Sequence, residues 1–283
     1  MTKELVETVV VKVNAKELVR SYKEILVHVE KKDFRPILAT VNHMVENNKL
    51  TLVATDTHSL GKFTLDCESN GSVEVAIPRK VIQALSKLKN KELVDKEIIL
   101  EFTKLKEGYI YTNEVKYIVN GKEFISSNTE TNYPSVERIL PVVNEDRNIT
   151  FNIRELKEFI KHIKETGYHR KNWNNKTIQS NIKFIKGQFV FSYEYEDEEG
   201  RVFYKKENIN CVVTKGFTDD YDIDLNIYEL EKHVNKFLTG NKTITLAFVE
   251  KEFMNSQNVR PIQVTYNGLN NYVGVLAPMR AFR

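Results

Sequence analysis

The sequence predicts an α+β chain of two similar domains, each made of two strand–helix–three-strand units. Three observations predict it. Alternating runs of strand length are interrupted by amphipathic helical segments that open on Asn or Pro. Turn signals such as Asn47-Asn48 and Asn120-Gly121 separate the runs. The first half also returns in the second: Asn14-Ala15-Lys16-Glu17-Leu18 recurs as Asn152-Ile153-Arg154-Glu155-Leu156, and Lys96–Phe102 as Lys242–Phe248. Self-similarity over that length means duplicated domains and excludes a short-period solenoid.

Taken in order, Thr8–Val13 reads as a strand. Asn14 then caps a helix whose apolar positions, Ala15, Leu18, Val19, Tyr22, Ile25, Leu26 and Val29, follow the spacing of one buried face. Strands are expected at Ile37–Val45, Lys49–Ala54 and Lys62–Cys67. The pattern restarts at Val73–Ile77, where Pro78 sits at a helix start and Val81, Ile82, Leu85 and Leu88 form the inner side. Strands at Glu97–Thr103, Tyr109–Thr112 and Tyr117–Val119 follow. The domains are expected at 1–132 and 144–283, with 133–143 as linker. In the second domain Asn226 caps a helix carrying Ile227, Leu230, Val234 and Phe237 on one face. Glu194–Gly200 reads as a hairpin tip, and Asp219–Asp224 as a strand and its approach.

With 41% hydrophobic and 29% charged residues, the 283-residue chain has material for two cores. A net charge of +3 is slight, so a polyanion-binding surface must come from arranging the 42 Lys and Arg rather than from bulk excess. Cys67 and Cys211 lack companions at metal-ligand spacing, which argues against a zinc site or disulfide framework and for thiols of a reducing compartment. No apolar run approaches the ~20 residues of a membrane span, and no secretory signal core opens the chain, so a cytoplasmic location is expected. No cofactor is expected.

The basic residues fall on helix faces. Lys16, Arg20, Lys23 and Lys31 form one stripe, and Arg154, Lys157, Lys161 and Lys164 another. Lys80 and Lys87 lie on the second helix, Lys232 and Lys236 on the fourth. Any surface helix is rich in Lys, and one stripe alone would mean solvation. Four related helices sharing the pattern point to a polyanion, although Glu17, Glu24, Glu158, Glu229 and Glu231 dilute it.

One stretch stands apart: Leu52-Val53-Ala54-Thr55-Asp56-Thr57-His58-Ser59-Leu60, a β-rich run breaking into small hydroxylated residues and a His. It resembles the ATD-x-H-x-L signature of the bacterial sliding clamp family, the β subunit of DNA polymerase III. Arg35-Pro36-Ile37-Leu38 precedes it, and Tyr133-Pro134-Ser135-Val136-Glu137-Arg138-Ile139-Leu140-Pro141 and Val275-Leu276-Ala277-Pro278-Met279-Arg280 follow in the family's order. The resemblance implies a clamp fold with the helices on the inner face of a ring. It also implies a non-enzymatic processivity factor that encircles double-stranded DNA without reading sequence, is placed there by a clamp loader, and tethers polymerase or repair partners by their peptides.

Carried over by position, the family's peptide pocket maps to Leu38, Thr55, Thr57, His58, Ser59 and Leu60, then to Pro134 and Ile139. Val275, Ala277, Pro278, Met279 and Arg280 complete it. Ser59 stands where the family usually has Arg, and Ala277 where it has Met, which implies a roomier, less cationic pocket. The DNA-facing set is Lys16, Arg20, Lys23, Lys31, Arg35, Lys80 and Lys87, with Arg154, Lys157, Lys161, Lys164, Lys232 and Lys236. The resemblance spans only the second and third of the family's three domains, so six domains would be reached by a homotrimer. Two other readings remain: a clamp mimic that sequesters clamp-binding peptides without loading, and a hydrolase using Asp56 and His58. The second lacks a G-x-S-x-G, H-E-x-x-H or Gly-rich phosphate frame.

Overall fold

A computed structural model of the chain describes residues 3–31, 35–89, 93, 97–129, 132–137, 139–141, 143, 147–172, 175–185, 188–213, 222–234, 243–249 and 261–279. The chain divides into two compact units, Met1–Asp56 with Leu60–Val136, and Thr57–Ser59 with Glu137–Arg283. The break at Val136/Glu137 falls inside the 133–143 stretch; the assignment of Thr57–Ser59 to the second unit has no counterpart in the sequence reading.

The first unit runs β1 (Glu4–Asn14), α1 (Ala15–Ile25), β2 (Thr40–Glu46), β3 (Lys49–Thr55), β4 (Ser59–Ser69), β5 (Val73–Pro78), α2 (Arg79–Ser86), β6 (Glu97–Glu107), β7 (Ile110–Val119) and β8 (Lys122–Thr129). The strands pair antiparallel in the order β5-β2-β3-β4-β1-β6-β7-β8. Alternation sets the inner face: Val9, Val11 and Val13 of β1 are buried while Lys12 and Asn14 are exposed. Helix α1 starts where Asn14 Oδ1 accepts the N–H groups of Lys16 and Glu17, both at 3.1 Å, which satisfies two donors the first turn leaves open. It buries Leu18, Val19, Tyr22 and Ile25 and lies beside α2. Within this core the Tyr22 hydroxyl donates to His43 Nε2 at 2.8 Å, and His43 Nδ1–H donates to the Val41 carbonyl at 3.0 Å. Burial holds the fully enclosed imidazole down at a pKa of about 4.

Two strand expectations need correction. The run Ile37–Val45 is not one strand: Pro36–Ala39 is a 3-10 turn and β2 begins at Thr40. Proline fixes the backbone of that turn, and the Thr40 hydroxyl closes it by donating to the Ile37 carbonyl. Tyr109–Thr112 and Tyr117–Val119 belong to one strand, β7, in which buried Asn113 continues the alternation of Val115, Tyr117 and Val119. The third strand is β8, whose Lys122–Thr129 run carries little apolar signal. In α2 the buried residues are Ile82 and Leu85; Val81 and Leu88 are half-buried.

The second unit repeats the plan with additions: β9 (Asn148–Asn152), α3 (Ile153–Thr166), a short hairpin β10 (Arg170–Asn172) and β11 (Asn175–Thr177), β12 (Gln179–Ile185), β13 (Gln188–Glu196), β14 (Val202–Asn208), β15 (Cys211–Val213), β16 (Asp222–Asn226), α4 (Ile227–His233), β17 (Thr243–Ala247), β18 (Ile262–Tyr266) and β19 (Leu269–Leu276). One sheet path is β15-β9-β17-β18-β19, the other β14-β13-β12-β16. The duplication is visible locally. Asn152 Oδ1 accepts from Arg154 and Glu155 as Asn14 does from its own first turn, and β9 pairs with β17 as β1 pairs with β6. Asn226 caps α4 through the Tyr228 N–H at 3.1 Å; Phe237 lies outside the described residues. Cys67 and Cys211 are free, and burial raises both thiols.

Candidate functional site

The Thr55–Leu60 stretch is the turn between β3 and β4, closed by the pairing of Thr55 with Leu60. Thr55, Asp56, Ser59 and Leu60 are buried, while Thr57 and His58 face solvent. Thr57 has φ +77°, a left-handed conformation in which a β-branched side chain is strained by roughly 1–2 kcal/mol. Thr57–Ser59 group with the second unit. The His58 carbonyl then accepts the Ala277 N–H at 2.8 Å, inside the second unit.

Around the first unit's end of this turn, Tyr133 is buried against the Thr55 backbone, and burial, with the Asp56 carboxylate adding, pushes its hydroxyl pKa up. Leu38 is buried in the 3-10 turn, its N–H donating to the Arg35 carbonyl and its carbonyl accepting the Glu30 N–H. Pro134 and Ile139 are exposed, whereas Tyr133 and Val136 of the same stretch are buried. The residues that anchor the stretch are Tyr133 and Val136, whose i, i+3 spacing is legible in the sequence.

In the second unit Val275 is buried at the end of β19, and Ala277, Pro278 and Met279 leave it half-buried. The Met279 N–H donates to the Asp224 carbonyl of β16 at 2.8 Å, which fixes the backbone of the segment against that strand. Arg280 lies outside the described residues. Within each unit, therefore, apolar residues and backbone amides are held in place. Among the described residues no group of three or more His, Cys, Asp or Glu could hold a metal ion. A cavity in the first unit lined by Glu7, Val9, Phe102, Lys104 and Asn113 includes none of the expected site residues.

The helix cations divide unevenly. Lys16, Arg20, Lys80 and Lys87 are exposed and Lys23 half-buried on the solvent sides of α1 and α2. None of the five forms an ion pair among the described residues. Lys31 and Arg35 are exposed beside them in sequence, while Lys32, Asp33 and Phe34 between them are outside the described residues. On α3, Arg154 is exposed and Lys157 half-buried. Lys161 lies 3.7 Å from Glu165, and Lys164 reaches both carboxylate oxygens of Glu231 at 2.7 and 2.8 Å, with the Tyr228 ring 5.2 Å away. On α4, Lys232 pairs with Glu229 at 2.5 Å, and Lys236 is outside the described residues.

Residues 12–135 match the family described as DNA polymerase III beta subunit, central domain. The beta sliding clamp of Staphylococcus epidermidis is 32% identical over 115 residues, which is 40% of this chain and 28% of that protein. That of Staphylococcus aureus is 30% identical over 114 residues, again 28% of its length. These alignments thus span under a third of the curated relatives. Among solved structures, a DNA polymerase III beta chain from Streptococcus pneumoniae superposes with a TM-score of 0.75 at 20% identity, covering 99% of this chain and 67% of that one. The sliding clamp of Bacillus subtilis gives 0.69 at 20% identity, covering 99% and 66%. The fold along the whole chain is that of the sliding clamps.

Proposed function

We propose that the chain is a DNA sliding clamp, a reading supported by the match of residues 12–135 to the central domain of the DNA polymerase III beta subunit. It is a non-enzymatic processivity factor of DNA replication that encircles duplex DNA. It is placed there by a clamp loader and tethers a polymerase or repair partner, raising the partner's local concentration toward the millimolar range without chemistry of its own. The observation that carries the reading is the clamp fold across 99% of the chain. The cationic helix faces support it, because flexible ammonium groups attract phosphates whatever the base sequence.

Partner peptides are taken by Leu38, Thr55, Thr57, His58, Ser59, Leu60, Pro134 and Ile139, together with Val275, Ala277, Pro278, Met279 and Arg280. Aliphatic positions and the methionine accept apolar anchors, and hydroxyls and backbone groups orient an extended segment. Copies assemble head to tail. Strand β8 ends one sheet path and exposes Phe124 and Ile125; β14 ends another and exposes Val202, Phe203 and Tyr204. An unpaired edge with apolar side chains is a template for another strand, and edges of different units favour a heterologous contact that can close a ring. With two units per copy, three copies give six. The cytoplasm is the site of action.

The test is topological. Loaded on nicked circular DNA, the protein stays bound at physiological salt and is lost when the circle is linearised. Equal loss from circular and linear DNA, with polymerase-tail peptide still bound, would instead identify a peptide-sequestering mimic.

A further inference from the structure

The two units share a fold and a helix pair, yet their helices differ in electrical balance. Helices α1 and α2 carry five cations, Lys16, Arg20, Lys23, Arg79 and Lys80, against two carboxylates. One of those carboxylates, Glu24, is buried at 2% exposure. Helices α3 and α4 carry five cations against five carboxylates. Geometry sharpens the contrast. On α1, Lys16, Arg20 and Lys23 recur at steps of four and three, away from the buried Leu18, Val19 and Tyr22. On α3 and α4, Lys164 is bound to Glu231 across the helix pair and Lys232 to Glu229 along its own helix. Lys232 and Glu229 are only 24% and 12% exposed, so that pair is shielded from the solvent that weakens surface ion pairs.

We infer that the duplex contact is concentrated on the first unit, the α3–α4 pair of the second presenting, Arg154 apart, an electrically balanced face among the described residues. The inference rests on the proposed clamp function and assigns most of its polyanion contact to one half of each copy. A phosphate approaching Lys164 or Lys232 meets the partner carboxylate at the same distance, and no counterion is released there. A phosphate approaching Lys16, Arg20 or Lys23 meets uncompensated charge and displaces counterions. Each such contact steepens the fall of affinity with salt by about 0.9 on a log–log scale.

The experiment is a salt titration of full-length protein against a fluorescein-labelled random-sequence duplex, followed by anisotropy. Replacing Lys16, Arg20 and Lys23 with Gln lowers the salt slope by about 2–3. Replacing Glu229 and Glu231 with Gln unmasks Lys232 and Lys164 and raises both the affinity and the slope, by about 1–2. An unchanged circular dichroism spectrum of the second variant separates that gain from damaged folding. A slope unmoved by the first variant, or a second variant no tighter than wild type, overturns the inference while leaving the clamp reading intact. Wild-type protein with no salt-dependent duplex binding removes both.

Discussion

His43 makes the stability of the first unit depend on pH, with a sign and size set by its surroundings. The ring is fully buried, both nitrogens are engaged, and its pKa is lowered from 6.5 to about 4 by burial. The folded form therefore refuses a proton that the unfolded chain accepts. Its contribution is intact above pH 6.5 and is lost progressively as pH falls from there toward 4. At about 1.36 kcal/mol per unit, the whole window is worth about 3 kcal/mol, of which about 2 is gone by pH 5. The perturbation is His43→Gln, which keeps a polar side chain for Tyr22 but cannot titrate. Urea unfolding followed by far-UV circular dichroism at pH 7 and pH 5 measures each protein's loss. Wild type should lose about 2 kcal/mol more than the variant over that interval. Parallel losses would refute the reasoning and mean that the buried ring accepts its proton at little cost.

Other perturbations test the local geometry. Asn14→Ala and Asn152→Ala should each cost about 1 kcal/mol and add in the double variant, since the caps lie in different units; chemical denaturation reads both. Thr57→Gly releases a strained φ at some entropic cost, leaving a gain of up to about 1 kcal/mol and a melting temperature higher by about 2 °C; a fall would show that the threonine side chain is holding the turn. Gly61→Ala and Gly274→Ala place a Cβ at 2.5 Å from His28 Cδ2 and from His233 Nδ1, so each should destabilise by about 1–3 kcal/mol in thermal melts. Phe203→Asp puts a charge on β14, which ends its sheet path among the described residues, and should reduce the native mass to that of a single copy with circular dichroism unchanged.

What the sequence shows is what local chemistry decides. Asn14, Asn152 and Asn226 announce helix starts because a cap is a contact between residues two or three apart. Asn47-Asn48 and Asn120-Gly121 announce hairpins because all four residues take positive φ. Strand β8 carries no such local signal because its order comes from pairing with β7, not from its own apolar content. The Lys164–Glu231 pair is not legible in the sequence for a related reason: the two residues are 67 apart, and only packing of α3 on α4 joins them. The motif stretch was legible as a motif, but its backbone strain at Thr57 and the His58–Ala277 bond belong to tertiary structure. The same holds for the burial of Tyr133 beside the exposed Pro134.

Ring closure is tested most directly by native mass, from light scattering coupled to size exclusion at micromolar concentration and moderate salt. Closure of three copies predicts a mass three times the 33.0 kDa of one chain, unchanged on dilution across the column. A mass of one or two chains at every concentration contradicts it.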